Sequence, residues 1–338
     1  MRVTSTCDSI NSFFISNAPG VQQSPDICFG GGYYFVIWID ARNSYQEVYG
    51  ARVSTTGTVL EPNGIQIGTD AQPYFYYPSV AYNGTNYFVI WSSPSFSPYK
   101  IMGRFINTNG SYGSNIFDVL TLSQSAYTTR IAWSGSNYLL CWIEYQPVGY
   151  TYTVKGCMLS SSGTPIGSIF TIADTVDYSS LAVRHSGVNY LVTFSKIVGS
   201  YNQICGRFYS TSGTPLGPYF NISNINYSCY NCDHYLGANN KFLTVWQEYR
   251  TDYDIYGNLD VSVGVEENDQ KLQNHTLTSY IVGNELRVDK TICGAIYDAT
   301  GKFIGNVKNG YFDFTCYSSG IYILRTVDNQ ICKIVKLK

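Results

Sequence analysis

The sequence predicts an all-β protein: a five-bladed β-propeller closed by its N-terminal strand, followed by a small C-terminal β-sandwich. Three observations predict it. A strand-like motif ending in an aromatic residue recurs at a period of about 52 residues. Glycine, serine, threonine and asparagine punctuate the intervals in the manner of tight turns. Tyrosine, which favours strands, occurs 32 times in 338 residues.

The first anchor of the repeat is YFVIW, at Tyr34–Trp38 and again at Tyr87–Trp91; it returns as YLLCW, YLVTF and FLTVW, ending at Trp142, Phe194 and Trp246. A second anchor follows each: VYGARV (48–53), IMGRFI (101–106), VKGCML (154–159), ICGRFY (204–209) and IYGNLD (255–260). A third, TTGTVL, TNGSYG, SSGTPIG and TSGTPLG, follows the first four. Each unit thus reads as four short strands. Strand A precedes a glycine turn, as in PSVAYNG, where Gly84 supplies the positive φ of a tight hairpin. Strand B is the aromatic-ended run, strand C the segment with the Gly-Arg anchor, and strand D follows the Ser-Gly-Thr turn. Four-stranded units at this period match propeller blades.

The fifth unit ends after IYGNLD without a strand D. SFFISNAPGVQQSPDICFGGG (12–32) aligns with PYFNISNINYSCYNCDHYLGAN (218–239), so residues 1–16 are expected to supply the missing outer strand and close the ring. The propeller is assigned to residues 1–262. VGVEENDQKLQNH opens a polar, acidic linker (263–279). Strand-like alternation with turn chemistry at Asp298–Gly301 and Asp328–Asn329 assigns residues 280–338 to a β-sandwich.

Composition narrows the function. Lys and Arg number 21 against 23 Asp and Glu, a net charge of −2, so no field points to nucleic acid. No apolar run reaches the roughly 18 residues of a membrane-spanning helix. The first residues, MRVTSTCDSINSFF, lack a signal-peptide pattern, which leaves any leader removed or never present. Ten cysteines favour an oxidising, extracellular setting, with Cys141 and Cys157 flanking one hairpin and Cys229 and Cys232 close in sequence as disulfide candidates.

In a propeller the D–A and B–C loops share one face. Here those loops are long and aromatic: PYFYYP with Tyr74, Phe75, Tyr76 and Tyr77, then Phe96, Tyr99, Tyr150, Tyr152, Tyr201, Tyr230 and Tyr253. The opposite face has minimal turns. Rigid rings with polar tips suit the faces of sugars or a protein partner. Asp40, Glu144 and Glu248 stand two residues after the strand B aromatic in units 1, 3 and 5. They read as blade braces with Arg42 and Arg250, or as oxygen donors for calcium, the one ion the sequence suggests. Strands A carry no carboxylate inside. Asp26 and Asp233, at the starts of strands A in neighbouring blades 1 and 5, are the sole candidate pair for acid–base hydrolysis. Cys229-Tyr-Asn-Cys232-Asp-His234 lacks the further ligands that structural zinc requires, so no metal site is assigned.

GVEEN, YDATGKFIGNV, SSGIYILRT and the closing KIVKLK resemble, in that order, the type IX secretion sorting domain (type A) found at the C-terminus of exported bacterial proteins. The resemblance covers about the last 75 residues, with SYIVGNELRV where the family has its Pro-Asn-Pro segment. It implies export to the cell surface or medium. Trp38-Ile-Asp40-Ala-Arg42, and less closely Trp246-Gln-Glu248-Tyr-Arg250, resemble the blade signature of secreted bacterial propeller proteins, which names a scaffold without an activity. The expected function is therefore a secreted or surface-attached, non-enzymatic propeller that binds glycan or a surface protein through its aromatic face. A structural subunit that contacts copies of itself and a five-bladed glycoside hydrolase are the alternatives.

Overall fold

The computed structural model describes residues 2–3, 9–43, 45–69, 77–93, 98–223, 225–236, 241–250, 252–262, 278–281, 285–287, 293–298, 302–318, 320–326 and 331–336. The chain divides into two units, Met1–Val265 and Glu266–Lys338.

Among the described residues the first unit is, besides one two-stranded pair near its N-terminus, a succession of five antiparallel sheets, each a simple meander. Sheet 1 comprises Gln22–Gly30, Tyr33–Asp40, Glu47–Ser54 and Ile65–Gly68; sheet 2 comprises Ser79–Tyr82, Asn86–Ser93, Tyr99–Asn107 and Phe117–Leu122. Sheet 3 is Ala126–Trp133, Tyr138–Gln146, Thr151–Leu159 and Pro165–Asp174, and sheet 4 is Val176–His185, Tyr190–Val198, Tyr201–Tyr209 and Phe220–Asn221. Sheet 5 has Ser228–Leu236, Lys241–Tyr249 and Tyr253–Ser262. Gly84 turns with φ 93°, as its place in the hairpin requires.

Among the described residues sheet 5 has no fourth strand. Ser9–Asn11 pairs with Arg2–Val3 instead, so the expected pairing of the N-terminus with sheet 5 is not seen. Phe13 and Ile15 pack on Val36, Trp38, Tyr49 and Val53 of sheet 1.

Alternation places the two faces of each second strand in different interfaces. Phe35, Ile37 and Ile39 of sheet 1 meet Val80, Tyr87 and Trp91 of sheet 2 in one buried cluster. The tyrosine that opens the second strand ties neighbours together: Tyr87 donates to the Gly30 carbonyl at 2.6 Å and Tyr190 to the Asn137 carbonyl at 2.6 Å. Rings meet at these joints, Phe35 stacked on Tyr87 at 4.5 Å and Phe88 tilted against Tyr138 at 5.1 Å. The glycine of the second anchor makes room for this packing. A Cβ on Gly103 would lie 2.7 Å from both Phe88 and Val119. Each such aromatic, fully buried, contributes roughly 1.5–3 kcal/mol.

A charged brace sits inside sheets 1, 3 and 5. The Trp38 indole donates to Asp40 Oδ2 at 2.9 Å, and Arg42 grips both Asp40 oxygens, with Nη2 at 2.6 Å. Trp246, Glu248 and Arg250 repeat this at 3.2 and 2.5 Å, whereas Glu144 is held by Trp142 at 3.4 Å and Gln146 at 3.0 Å. Sheet 4 has Phe194, which lacks an N–H and needs no acceptor; Lys196 there reaches out to Asp174 at 2.8 Å.

The eight cysteines whose side chains are described, Cys141, Cys157, Cys229 and Cys232 among them, are free thiols, which corrects the disulfide expectation. Cys141 pairs across the hairpin with Gly156 and Cys157 with Leu140, one step out of register. A one-residue offset turns side chains to opposite faces. Cys141 accordingly enters the core between sheets 3 and 4, and Cys157 the core between sheets 2 and 3. Cys229 and Cys232 find separate partners, the Tyr227 carbonyl and Thr193 Oγ1.

In the second unit a five-stranded sheet, with Thr278–Ile281 parallel to Ile331–Lys336, accompanies the two-stranded pair Glu285–Arg287 and Tyr311–Asp313. Leu286 of the small sheet shares a core with Ile296, Leu324 and Ile334 of the large one. Buried Lys336 donates to the carbonyls of Phe314 and Tyr317 at 2.7 and 2.6 Å.

Two predictions follow from the buried polar groups. Burial alone would raise the Asp40 carboxyl, but hydrogen bonds from Arg42 and Trp38 outweigh it and hold it below its ordinary value. Asp40→Ala strands both donors and should cost about 1–3 kcal/mol in urea unfolding; a loss below about 0.5 kcal/mol, the level of an ordinary surface change, would show that the brace is idle. His234 is fully buried, accepting from Thr193 Oγ1 at 2.9 Å and donating from Nε2 to the Leu191 carbonyl at 3.1 Å. Burial pushes its imidazole down to about 3. The unfolded chain binds this proton below about pH 6.5 while the folded chain refuses it, so the stability is complete above about pH 6.5 and declines toward pH 3, by about 1.4 kcal/mol per unit. His234→Gln should flatten the dependence of the urea midpoint between about pH 4 and 6 by that one proton. Identical slopes in the two proteins would contradict it.

Candidate functional site

The first strands of the five sheets converge, and side chains at one level meet there. Pairing with the second strands aligns Asp26, Ser79, Arg130, Ala182 and Asp233 at equivalent positions, opposite Ile37, Ile90, Cys141, Thr193 and Val245. The next level of the same kind, two residues on, holds Cys28, Ala81, Ala132, Arg184 and Tyr235, which line a cavity of about 200 Å³ with residues from all five strands.

Three of the charged positions share a local device. The ladder shifts register between Gln23 and Asp26, between Tyr127 and Arg130, and between Tyr230 and Asp233. Two residues before each charged side chain stands a non-glycine residue of positive φ: Ser24 at 51°, Thr128 at 21° and Asn231 at 49°. A bulge re-aims the side chain that follows it, and such strained residues concentrate at functional sites.

Side chains also bridge strand to strand around this level. Asp26 Oδ2 accepts from Ser79 Oγ at 2.7 Å and Val80 N at 3.0 Å. Ser79 Oγ accepts from Ile131 N at 3.2 Å, Thr128 Oγ1 donates to the Tyr178 carbonyl at 3.0 Å, and Ser180 Oγ accepts from Asn231 N at 2.6 Å. Arg184 completes the circuit. Its Nη2 lies 3.4 Å from Asp233 Oδ1 and 4.0 Å from Asp26 Oδ1. The carboxylates predicted as neighbours thus face one guanidinium, their oxygens no farther apart than those two contacts laid end to end.

The two acids differ in surroundings. Asp26 is 12% exposed and takes a further donor, Ile27 N, at 2.9 Å. All of its partners donate, so it acts as an acceptor. Asp233 is 60% exposed and receives His234 N at 2.8 Å. Cys28, beside them, is no nucleophile, because burial and then the Asp26 charge push its thiol up. Burial likewise pushes Cys232 up to about 12. Arg184 has no signature in the sequence: it follows the apolar run Leu181–Val183, and only the alignment of the five first strands puts it at the centre.

The predicted aromatic residues fare unevenly. Tyr74, Phe75, Tyr76 and Phe96 lie outside the described residues. Tyr77 is half-buried, and its carbonyl accepts from Thr129 Oγ1 at 2.6 Å. Tyr99 is half-buried, its ring packed against the core between sheets 2 and 3. Tyr152 is half-buried at the centre of a tyrosine cluster, 5.7 Å from Tyr127 and 5.6 Å from both Tyr145 and Tyr178. Tyr150 and Tyr201 are exposed, Tyr230 is half-buried, and exposed Tyr253 rests on Tyr249 at 4.9 Å. Asp40, Glu144 and Glu248, with Arg42 and Arg250, stay inside their braces.

No protein-family model matches the chain, and no curated protein matches it in sequence. Its fold is similar to that of an endo-arabinase from Bacteroides thetaiotaomicron VPI-5482, with a TM-score of 0.51 at 10% identity over 76% of this chain and 99% of that one. A thermostable family-43 glycoside hydrolase (TM-score 0.46, 11% identity, 72% of this chain and 91% of that one) and an α-L-arabinofuranosidase from Lactobacillus brevis (0.46, 11%, 71% and 92%) are also similar. This likeness to a solved arabinase stands against the expectation of a non-enzymatic binding propeller. The chain is an all-β protein with a first unit of the β-propeller type.

Proposed function

We propose that the first unit is a five-bladed propeller glycoside hydrolase whose site is the Asp26–Arg184–Asp233 cluster. The meeting of two carboxylates from different sheets over one guanidinium carries this reading. Glycosidic cleavage needs two acids, about 5 Å apart for retention and upward of about 6.5 Å for inversion, and the span across Arg184 admits either. Asp26, surrounded by donors, serves as the base or as the anion that stabilises positive charge on the sugar ring. Asp233, open to solvent, is the carboxyl placed to meet the glycosidic oxygen. Arg184 keeps the pair from repelling in the absence of substrate. Tyrosines on the same face, among them Tyr150 and Tyr201, offer ring faces to the rest of a glycan.

Residues 1–16 supply the outer strand of blade 5 in this reading, and the second unit directs export as a sorting domain. Deleting residues 1–16 should then uncover the blade 5 edge and broaden the melting transition; an unchanged melting curve would refute the strand assignment.

The catalytic reading is tested on arabinan, the polymer suggested by the similar endo-arabinase, with aryl glycosides as a wider panel. Asp233→Asn and Asp26→Asn should each lower turnover by about 100-fold or more, the usual contribution of one acid–base group. Asp233→Asn should leave the melting temperature nearly unmoved. Hydrolysis that survives both substitutions, or none by the parent chain on any substrate, would overturn the proposal.

A further inference from the structure

A groove of about 470 Å³ opens between sheet 2 and the turn that joins the last two strands of sheet 3. Its floor is aromatic. Phe88 lies 4.3 Å from Phe105 and 5.9 Å from Phe117, and the three ring planes fall within 17° of parallel. Phe88 is fully buried, whereas Phe105 and Phe117 are half-buried and packed against the core between sheets 2 and 3. The walls are polar, with Asn83 and Ser114 on the sheet 2 side and exposed Ser161, Ser162 and Thr164 on the other. Asp118, the charged residue of the rim, is paired with Lys100 at 2.6 Å.

The hydroxyl-bearing turn recurs in the next sheet, but the open floor does not. Ser162 Oγ lies 3.1 Å from Thr164 Oγ1, and in sheet 4 Ser212 Oγ lies 3.3 Å from Thr214 Oγ1. Phe105 stands opposite Phe88 as Arg52 stands opposite Phe35 and Met158 opposite Leu139. Between sheets 1 and 2 that place is filled by charge. Arg52 donates to Glu61 Oε1 and to the Thr108 carbonyl, each at 3.0 Å, and a Cβ on Gly110 of the covering turn would lie 3.1 Å from Arg52 Nε. Between sheets 3 and 4 it is filled by Met158, which is buried, and a Cβ on Gly213 would lie 2.6 Å from Met158 Cγ. The turn of sheet 3 rests instead on Phe88 and Phe117, 2.9 and 3.1 Å from a Cβ on Gly163, and the ring of Phe105 stays partly open.

We propose that this groove is a separate binding site for a neutral glycan. A sugar offers faces of C–H groups and a rim of hydroxyls. The phenylalanine layer covers the first, and the amide, hydroxyl and carboxylate groups of the walls bond the second. An anionic ligand would meet Asp118, and a cationic one would have to displace Lys100. A wholly apolar ligand would strip water from the wall hydroxyls without replacing its hydrogen bonds. The volume falls within the range of about 300–1,000 Å³ usual for small-molecule sites. Because the core holds the floor in place, little order is lost on docking. The groove shares no residue with the Asp26–Arg184–Asp233 cluster and does not rest on the catalytic reading. Beside a hydrolase site it would hold a polymer away from the point of cleavage.

Affinity electrophoresis of the full chain tests the site, in native gels containing arabinan, xylan or a β-glucan, with polygalacturonate as the acidic comparison. Phe105→Met grafts the side chain that sheet 3 carries at this position and keeps most of the apolar volume. Ser162→Arg lays a long side chain across the floor from an exposed turn. Each should weaken retention on a neutral polymer by about fivefold or more, with a melting temperature close to the parent's. Should Phe105→Met unfold, Ser162→Arg, which lies outside the core, decides alone. A parent chain retained by no neutral polymer, or by polygalacturonate only, overturns the proposal, and so does retention of Ser162→Arg equal to the parent's. If retention depends on the groove while neither arabinan nor any aryl glycoside is cleaved, the groove stands and the catalytic reading falls. If cleavage depends on Asp26 and Asp233 while Ser162→Arg is retained like the parent, the catalytic reading stands and the groove falls.

Discussion

Each sheet of the first unit ends, on its inner side, in a strand with no further strand to pair with. Backbone N–H and C=O groups left without partners in such a place are costly, and an unpaired edge invites wrong pairing. The chain answers with side chains from the neighbouring sheet. Asp26 caps Val80 N, Ser79 caps Ile131 N, Ser180 caps Asn231 N, and Thr128 and Thr129 reach the carbonyls of Tyr178 and Tyr77. The same small polar residues that satisfy the backbone tie one sheet to the next. Asp26 therefore has a structural duty before any chemical one, and the site grows out of the requirement to finish an edge.

The repeat was legible because its residues are strictly local in their demands. A tyrosine that must reach a turn one sheet away, a glycine that must leave room for Phe88, and a tryptophan whose N–H needs an acceptor two residues on all recur at fixed spacing. The centre was less legible. Asp26 and Asp233 could be picked out as starts of neighbouring strands, but of the bulge residues Ser24, Thr128 and Asn231 only Asn231 favours positive φ, so the sequence does not announce the set. Arg184 stayed hidden for the same reason: its role depends on which strands meet, not on its neighbours in the chain. The cysteine pair failed on register. Symmetry about the turn opposes Cys141 and Cys157 in the sequence, yet an offset of one residue separates them into different cores.

The aromatic loops illustrate a limit of composition. Tyr152 is surrounded by Tyr127, Tyr145 and Tyr178, and Tyr99 enters the core, so part of the aromatic surplus stiffens the molecule from within. Rings that satisfy one another have less to offer a ligand. The residues that remain open, Tyr150 and Tyr201 among them, are the ones whose count matters for recognition, and only a three-dimensional arrangement separates the two populations.

The Trp-Asp-Arg brace of sheet 1 is self-contained: donor, acceptor and cation fall within five consecutive residues, from Trp38 to Arg42. A device so compact can be lost from one repeat without disturbing the next, as the Phe194–Lys196 arrangement of sheet 4 demonstrates. The tyrosine tie obeys the opposite rule, since it joins two repeats and a change on either side is felt by both. Duplicated units would on this basis drift freely in their braces while remaining tethered in their ties. The history of such a chain should be written unevenly along each repeat, with divergence permitted inside a sheet and restrained between sheets.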